Sequence, residues 1–178
     1  MSRRAHIALA ALVLLPACSS DPVRSRLIDS LGGEESGVAK GPLHRPGQPC
    51  IACHGSNGPA DTEFSLAGTV YQDETSKKAL PDARVHLIDA NGKLYDTATN
   101  CAGNFFVMNA DYHPAYPVWV KVFFGTSDGQ PVSQEMGSPI YREGSCATCH
   151  GDPAGTEAVG HVYLSPAPLA IPASPSCP

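Results

Sequence analysis

The chain has 178 residues, of which 42% are hydrophobic and 7% aromatic, with 17 glycines and 17 prolines. This length allows one domain of ordinary size and excludes a large enzyme, and the glycine and proline content argues against an all-helical bundle. The formal net charge of −5 offers no basic surface for a phosphate backbone, so nucleic acid is not an expected partner.

The first 17 residues have the pattern of a bacterial signal peptide. Arg3 and Arg4 give a positive start, and the apolar stretch at residues 7–15 is too short for a permanent membrane span. Leu-Pro-Ala-Cys follows at residues 15–18 and resembles the bacterial lipobox, in which a small residue precedes a cysteine that receives diacylglycerol. We expect export, cleavage after residue 17 and a lipid on Cys18. The alternative is a soluble export signal that leaves this cysteine as a thiol.

Residues 18–49 are rich in glycine, proline, serine and charged side chains, and only residues 23–31 show any periodicity. That composition is typical of a flexible tether. A spacer of this kind behind a lipidated cysteine would let the following domain lie clear of the membrane and still reach partners there.

Two pentapeptides carry the chemistry of the sequence. Cys50, Cys53 and His54 form one Cys-x-x-Cys-His motif, and Cys146, Cys149 and His150 form the other. This spacing is the attachment signature of c-type haem, in which two thiols bond to the vinyl groups and the histidine binds the iron. A composition of seven cysteines and seven histidines gives a chance expectation on the order of 0.01 copies. The sequence therefore predicts two covalent haems c, held in segments 50–63 and 140–165.

Cysteine pairs also occur in disulfides and zinc sites. Zinc ribbons usually separate their two cysteine pairs by roughly 15 to 20 residues, whereas 92 residues lie between Cys53 and Cys146. Neither alternative explains the histidine that follows each pair. Haem is the preferred interpretation, with disulfides or a metal site as the alternatives.

Between residues 64 and 139 the sequence changes to short alternating apolar runs separated by turn signals, which is typical of an antiparallel β-sandwich. Asn and Gly in the turns at residues 90–92 and 100–103 supply the positive φ angles that tight reversals need. Alternation predicts an aliphatic core that includes Val85, Leu87 and Val120, with Trp119 and Phe123 facing outward. The six predicted strands are 66–71, 83–89, 93–99, 104–108, 118–124 and 132–138.

Three phrases within residues 66–124 resemble the carboxypeptidase regulatory-like family. They are Gly-Thr-Val-Tyr at 68–71, Leu-Pro-Asp-Ala-Arg-Val-His-Leu at 80–87 and Thr-Asn-Cys-Ala-Gly-Asn-Phe at 99–105. The resemblance implies a transthyretin-like sandwich that acts as an accessory module without catalytic residues.

The second iron ligand of each haem is not fixed by a motif. His44 lies six residues before Cys50, and His161 lies eleven residues after His150, so these two histidines are the first choices. If the six strands reverse at every connection, both motifs lie at one pole of the sandwich together with the loop that contains His113. The remaining candidates are His86, Met108 and Met136.

Two cysteines remain without a task, Cys101 and Cys177. Cys101 is predicted in a turn at the pole away from the haems. A possible extra strand at residues 161–164 would carry the proline-rich tail, residues 166–178, back toward that pole. A disulfide between the two cysteines is therefore possible.

These features together predict a dihaem c-type cytochrome lipoprotein that acts in electron transfer at the cell envelope, on the periplasmic side or at the outer membrane. Its expected partners are other redox proteins and, through the lipid, the membrane. An electron carrier is the preferred interpretation, and a catalyst is the less favoured one. The alternative is a non-redox, surface-binding sandwich lipoprotein; a small haem enzyme or sensor is a third class.

Overall fold

The computed structural model describes residues 21–177 except 35, 127, 128, 130, 153, 157 and 169. The predicted signal peptide and Cys18 lie outside the described residues. Within the described part of the chain, no helix is long and apolar enough to cross a membrane.

The described chain is mainly β-structure with short helical pieces. Its elements, in chain order, are α1 (Pro22–Ser30), α2 (Cys50–His54), β1 (Phe64–Asp73), β2 (Arg84–Ile88), β3 (Leu94–Ala98), β4 (Asn104–Met108), β5 (Trp119–Gly125), β6 (Pro131–Glu135), a 3₁₀ turn (Cys146–Thr148) and β7 (Val162–Ser165). All six predicted strands are present, and β7 coincides with the extra strand expected at residues 161–164.

The strands form two sheets, one in the order β4-β1-β7 and the other in the order β3-β2-β5-β6. Every pair is antiparallel except β1 and β7, which run parallel. The predicted small antiparallel β-sandwich is therefore confirmed, with one parallel pair added by the extra strand β7.

The core follows from the alternation of the strands. Val85 pairs with Val122 and Leu87 with Val120 across β2 and β5, so each pair presents two aliphatic side chains to the same face. All four are buried, and from the opposite sheet they meet Leu66, Val70, Phe105, Val107 and Leu164. The turn before β4 needs a glycine at position 103. Gly103 has a φ angle of 73°, and a Cβ atom there would collide with the carbonyl oxygen of Val70.

The stretch predicted as a plain tether contains structure where it is described. Asp21 caps α1 by accepting hydrogen bonds from the backbone N–H groups of Val23 and Arg24. The Arg24 guanidinium then donates to the carbonyl oxygen of Ser56 over 2.5 Å, and that of Arg45 donates to Gly32 over 2.8 Å. The first contact ties α1 to the segment that follows the first motif, the second joins Arg45 to the loop that follows α1, and composition alone reveals neither.

Candidate functional site

Both Cys-x-x-Cys-His motifs lie against the same strand. The segment just before the second motif extends the three-stranded sheet, because the N–H of Ala67 donates to Gly144 over 2.9 Å and Ala67 pairs in parallel with Ser145. The first motif contacts this same segment, since Cδ1 of Ile51 lies 3.1 Å from the position that a Cβ atom on Gly144 would occupy. The fold thus brings together two motifs that are far apart in sequence.

In the first motif, one helical turn presents Cys50 and Cys53 as free, partly buried thiols. Burial raises the pKa of Cys50 to about 11. The imidazole of His54 stacks on Phe64 with ring centroids 4.2 Å apart, and its Nδ1 lies 3.0 Å from the carbonyl oxygen of Thr62. Nδ1 is equally close to Oγ1 of Thr62; because the carbonyl only accepts, its contact favours the tautomer with a proton on Nδ1 and a lone pair on Nε2.

His44 lies beside His54, with ring centroids 6.0 Å apart. Its loop is fixed to the sheet, since the Asn104 side chain donates to the His44 carbonyl oxygen over 3.0 Å and the N–H of Gly47 donates to Oγ1 of Thr69 over 2.7 Å. The structure therefore brings the first-choice distal histidine to the first motif.

A carboxylate faces the His44 ring. Oε1 of Glu34 lies 3.4 Å from Nδ1 of His44, and among the described residues this Nδ1 has no hydrogen-bond partner. Arg45 donates to the same carboxylate oxygen over 3.0 Å and lowers the pKa of Glu34. The ionised carboxylate favours the tautomer with a proton on Nδ1, in which Nε2 keeps a lone pair.

The second motif has a similar local arrangement. Cys146 begins the 3₁₀ turn and Cys149 directly follows it, and both are free thiols. The N–H of His150 donates to the carbonyl oxygen of Cys146 over 2.8 Å, and Nδ1 of His150 lies 2.9 Å from the carbonyl oxygen of Gly160. Burial, and to a lesser extent the neighbouring thiol of Cys50, raise the pKa of Cys146 to about 12.

A glycine in β1 makes room for the second motif. A Cβ on Gly68 would lie 2.7 Å from Sγ of Cys146 and 3.0 Å from the ring of Phe105. Any larger residue would push Cys146 away from the sheet, so this position ties the sandwich to the placement of the motif.

A cavity of about 790 Å³ opens beside Cys146, Cys149 and His150. Its lining is predominantly apolar, and its volume lies within the range typical of sites for small molecules and cofactors. Its other lining residues include Phe105, Val120, Val122, Met136, Ile140, Tyr141, Val159, His161, Val162 and Tyr163.

His161 lies in the wall of this cavity, but both its ring nitrogens have partners. Nδ1 is 2.9 Å from each carboxylate oxygen of Asp152, and Nε2 is 2.9 Å from the carbonyl oxygen of Asp73. Only 8% of the residue is exposed. The structure therefore brings His161, a first-choice distal histidine, to the second motif, but with both ring nitrogens engaged in hydrogen bonds.

The other candidates lie in different surroundings. His86 pairs with Asp96 across two strands at 2.5 Å, and His113 is an exposed loop residue whose Nδ1 contacts Asn109 at 2.6 Å. Met108 lies opposite Phe64 at the end of β4, whereas Met136 lines the cavity. The outward side chain of Trp119 is 44% exposed.

Several residues of the site were not identified from sequence. Glu34, Phe64 and Gly68 take part only because the fold places them beside a motif, and no local spacing marks them. From the sequence alone, Met136 is only one of the remaining candidates, because histidines that lie near the motifs are preferred.

A disulfide joins Cys101 and Cys177, with Cα atoms 5.5 Å apart. It ties the β3–β4 turn to the C-terminal tail. The neighbouring Asn100 side chain donates to the carbonyl oxygen of Pro42 over 2.6 Å, so the loop that carries His44 packs on the same turn.

Comparison with protein-family models, curated proteins and solved structures found no match to this chain.

Proposed function

We propose that this protein is a dihaem c-type cytochrome lipoprotein that transfers electrons at the bacterial cell envelope. The observation that carries the proposal is the pairing of two attachment motifs with a common local geometry. In each motif two free thiols precede a histidine whose Nδ1 faces a backbone carbonyl, which leaves Nε2 for iron.

The described residues fit two haems. Cys50 and Cys53 would hold one, Cys146 and Cys149 the other, each thiol adding across a vinyl group so that a C–S bond forms and the thiol hydrogen passes to the neighbouring vinyl carbon. His54 and His150 would be the proximal iron ligands. When bound, haem supplies one-electron redox chemistry whose potential depends on axial ligands and burial.

The spacing of His44 and His54 supports ligation of one iron by both. Their ring centroids are 6.0 Å apart, so a haem held by Cys50 and Cys53 would have both imidazoles within reach as iron ligands. Glu34 and Thr62 would orient the two rings through their Nδ1 atoms.

The apolar cavity supports a haem at the second motif. It provides a predominantly apolar surface next to both thiols and His150, and an apolar environment helps to set a redox potential. Because both motifs contact β1, the two haems would be close enough for an electron to pass between them. The sandwich would then be the scaffold, in keeping with the resemblance to the carboxypeptidase regulatory-like family.

Export and the envelope location are proposed from the N-terminal pattern. A lipid on Cys18 would anchor the chain on the periplasmic side or at the outer membrane, where other redox proteins would be its electron donor and acceptor.

Expression of the full chain in a bacterium that matures c-type cytochromes tests the proposal. We expect an intact mass with two haems and a c-type absorption spectrum. The paired variants Cys50→Ala/Cys53→Ala and Cys146→Ala/Cys149→Ala should each lose one haem and about half of the haem absorbance, while Cys101→Ala/Cys177→Ala should keep both. A wild-type mass without haem would overturn the proposal, and motif cysteines paired as disulfides would favour the non-redox surface-binding alternative.

A further inference from the structure

We infer that Met136 is the second axial ligand of the haem held by Cys146, Cys149 and His150. The inference rests on the proposed function and deepens it, because it names the residue that would bind iron opposite His150. It also makes the two haem sites chemically different.

Met136 is placed in the cavity by the backbone. It directly follows β6, and its N–H donates to the carbonyl oxygen of Val120 over 3.1 Å. Its side chain packs against the core and lines the same cavity as Cys149 and His150. A backbone hydrogen bond to β5 therefore holds Met136 in the wall of the cavity.

The side chains that bind haem iron in proteins are histidine, methionine, cysteine and tyrosine. Besides the motif itself, the described lining of the cavity offers Met136, His161, Tyr141 and Tyr163. Either tyrosine would have to lose its phenolic proton in a predominantly apolar space. The choice is therefore between the methionine and the histidine.

The contacts of His161 favour the methionine. For His161 to bind iron, one ring nitrogen would have to leave either the Asp152 carboxylate or the carbonyl oxygen of Asp73, each 2.9 Å away, and a buried polar group would lose its partner. A thioether has no proton to lose and is only a weak hydrogen-bond acceptor. Met136 can bind iron without breaking a polar contact.

A methionine ligand has a functional consequence. Methionine–histidine ligation raises the reduction potential of haem relative to ligation by two histidines. With His44 and His54 at the first motif, electrons would pass from the first haem to the second. The difference in reduction potential between the two haems would then favour electron transfer in one direction.

The test uses the full chain with Cys50→Ala/Cys53→Ala, so that only the second haem is present. This parent should show the weak far-red absorption band of ferric haem bound by a thioether. Met136→Leu should lose the band and lower the measured potential, with haem mass and circular dichroism unchanged. Met136→His should give a low-spin iron with a lower potential than the parent.

Met108→Leu is the matched control, and His161→Gln tests the rival ligand in the cavity wall; both should keep the band. A parent without the band, a band that persists in Met136→Leu, or a band lost in His161→Gln would overturn the inference. These outcomes leave the proposed function intact as long as the haem mass is present. A wild-type chain without haem overturns both.

Discussion

The imidazole rings of His44 and His54 lie with their centroids 6.0 Å apart and their planes at 75° to each other. His44 comes from an irregular loop and His54 from the end of α2. Their meeting depends on the hydrogen bonds that fix the loop to Thr69 and Asn104, so the first candidate iron site joins two separate pieces of chain.

The first prediction concerns this histidine pair. The background is a chain with Cys146→Ala/Cys149→Ala, in which only the first haem should remain. In this chain, His44→Ala should change the spin state of that haem, or weaken its low-spin form, without detaching it. Attachment is covalent, whereas distal ligation only tunes the iron. Absorption and electron paramagnetic resonance spectra check this, with exposed His113→Ala as the control. Identical spectra for His44→Ala and the parent would exclude His44 as the ligand.

The second prediction concerns the room that Gly68 provides for Cys146. Gly68→Ala places a methyl group 2.7 Å from Sγ of Cys146, and such overpacking costs about 1–3 kcal/mol. We expect fewer chains with two haems by intact mass, with the loss confined to the second motif. Gly125→Ala is the control, because among the described residues nothing lies within 4 Å of its added Cβ. Equal haem occupancy in the two variants would contradict the prediction.

The third prediction concerns the bridge between Cys101 and Cys177. The cysteines are 76 residues apart in sequence, and closing a loop of that size should make the double alanine variant about 2–4 kcal/mol less stable to unfolding. Both haems should remain, because neither cysteine belongs to a motif. Chemical denaturation and intact mass measure the two effects. Free alkylation of both thiols in the unreduced native protein would rule the bridge out.

The fourth prediction concerns Asp73 at the end of β1. Hydrogen bonds from Ser76 and Thr75 lower the pKa of Asp73 to about 2. Because the folded pKa lies below the unfolded value of about 3.9, this carboxylate stabilises the fold above about pH 4, and the contribution is lost as the pH falls toward 2. Asp73→Asn should therefore be less stable at pH 7, and its deficit should shrink on acidification.

Urea unfolding of Asp73→Asn and the wild type across this pH range provides the measurement. Asp111→Asn, which changes an exposed loop carboxylate, is the control and should follow the wild type. A deficit that stays constant from pH 7 to pH 2 would show that Asp73 does not act through its charge.

The fifth prediction concerns Cys18, which lies outside the described residues. If this cysteine is the acylated mature N-terminus, a fatty-acid analogue should label the wild type and leave Cys18→Ala unlabelled. The mutant should still receive both haems in any fraction that is exported, since the motifs are independent of the anchor. Equal labelling of the two proteins would remove the lipoprotein assignment.

The sequence by itself predicted the strands and contained the two Cys-x-x-Cys-His motifs. Alternation of apolar residues depends on two-residue periodicity, so Val85, Leu87, Val120 and Val122 could be placed in the core without coordinates. The Cys-x-x-Cys-His spacing is likewise local, because one short turn carries both thiols and the histidine that would attach a haem.

Only the tertiary structure decided which groups meet at each motif. Sequence proximity ranked His161 highly, but contacts with Asp152 and Asp73, the latter 88 residues away, occupy its ring nitrogens. Met136 enters the cavity because β6 pairs with β5, a relationship between strands that no local pattern expresses. The spacing of a motif is a local property of the sequence. Hydrogen-bond partners and cavity walls arise from contacts between distant segments, and these contacts exist only once the sheets have packed.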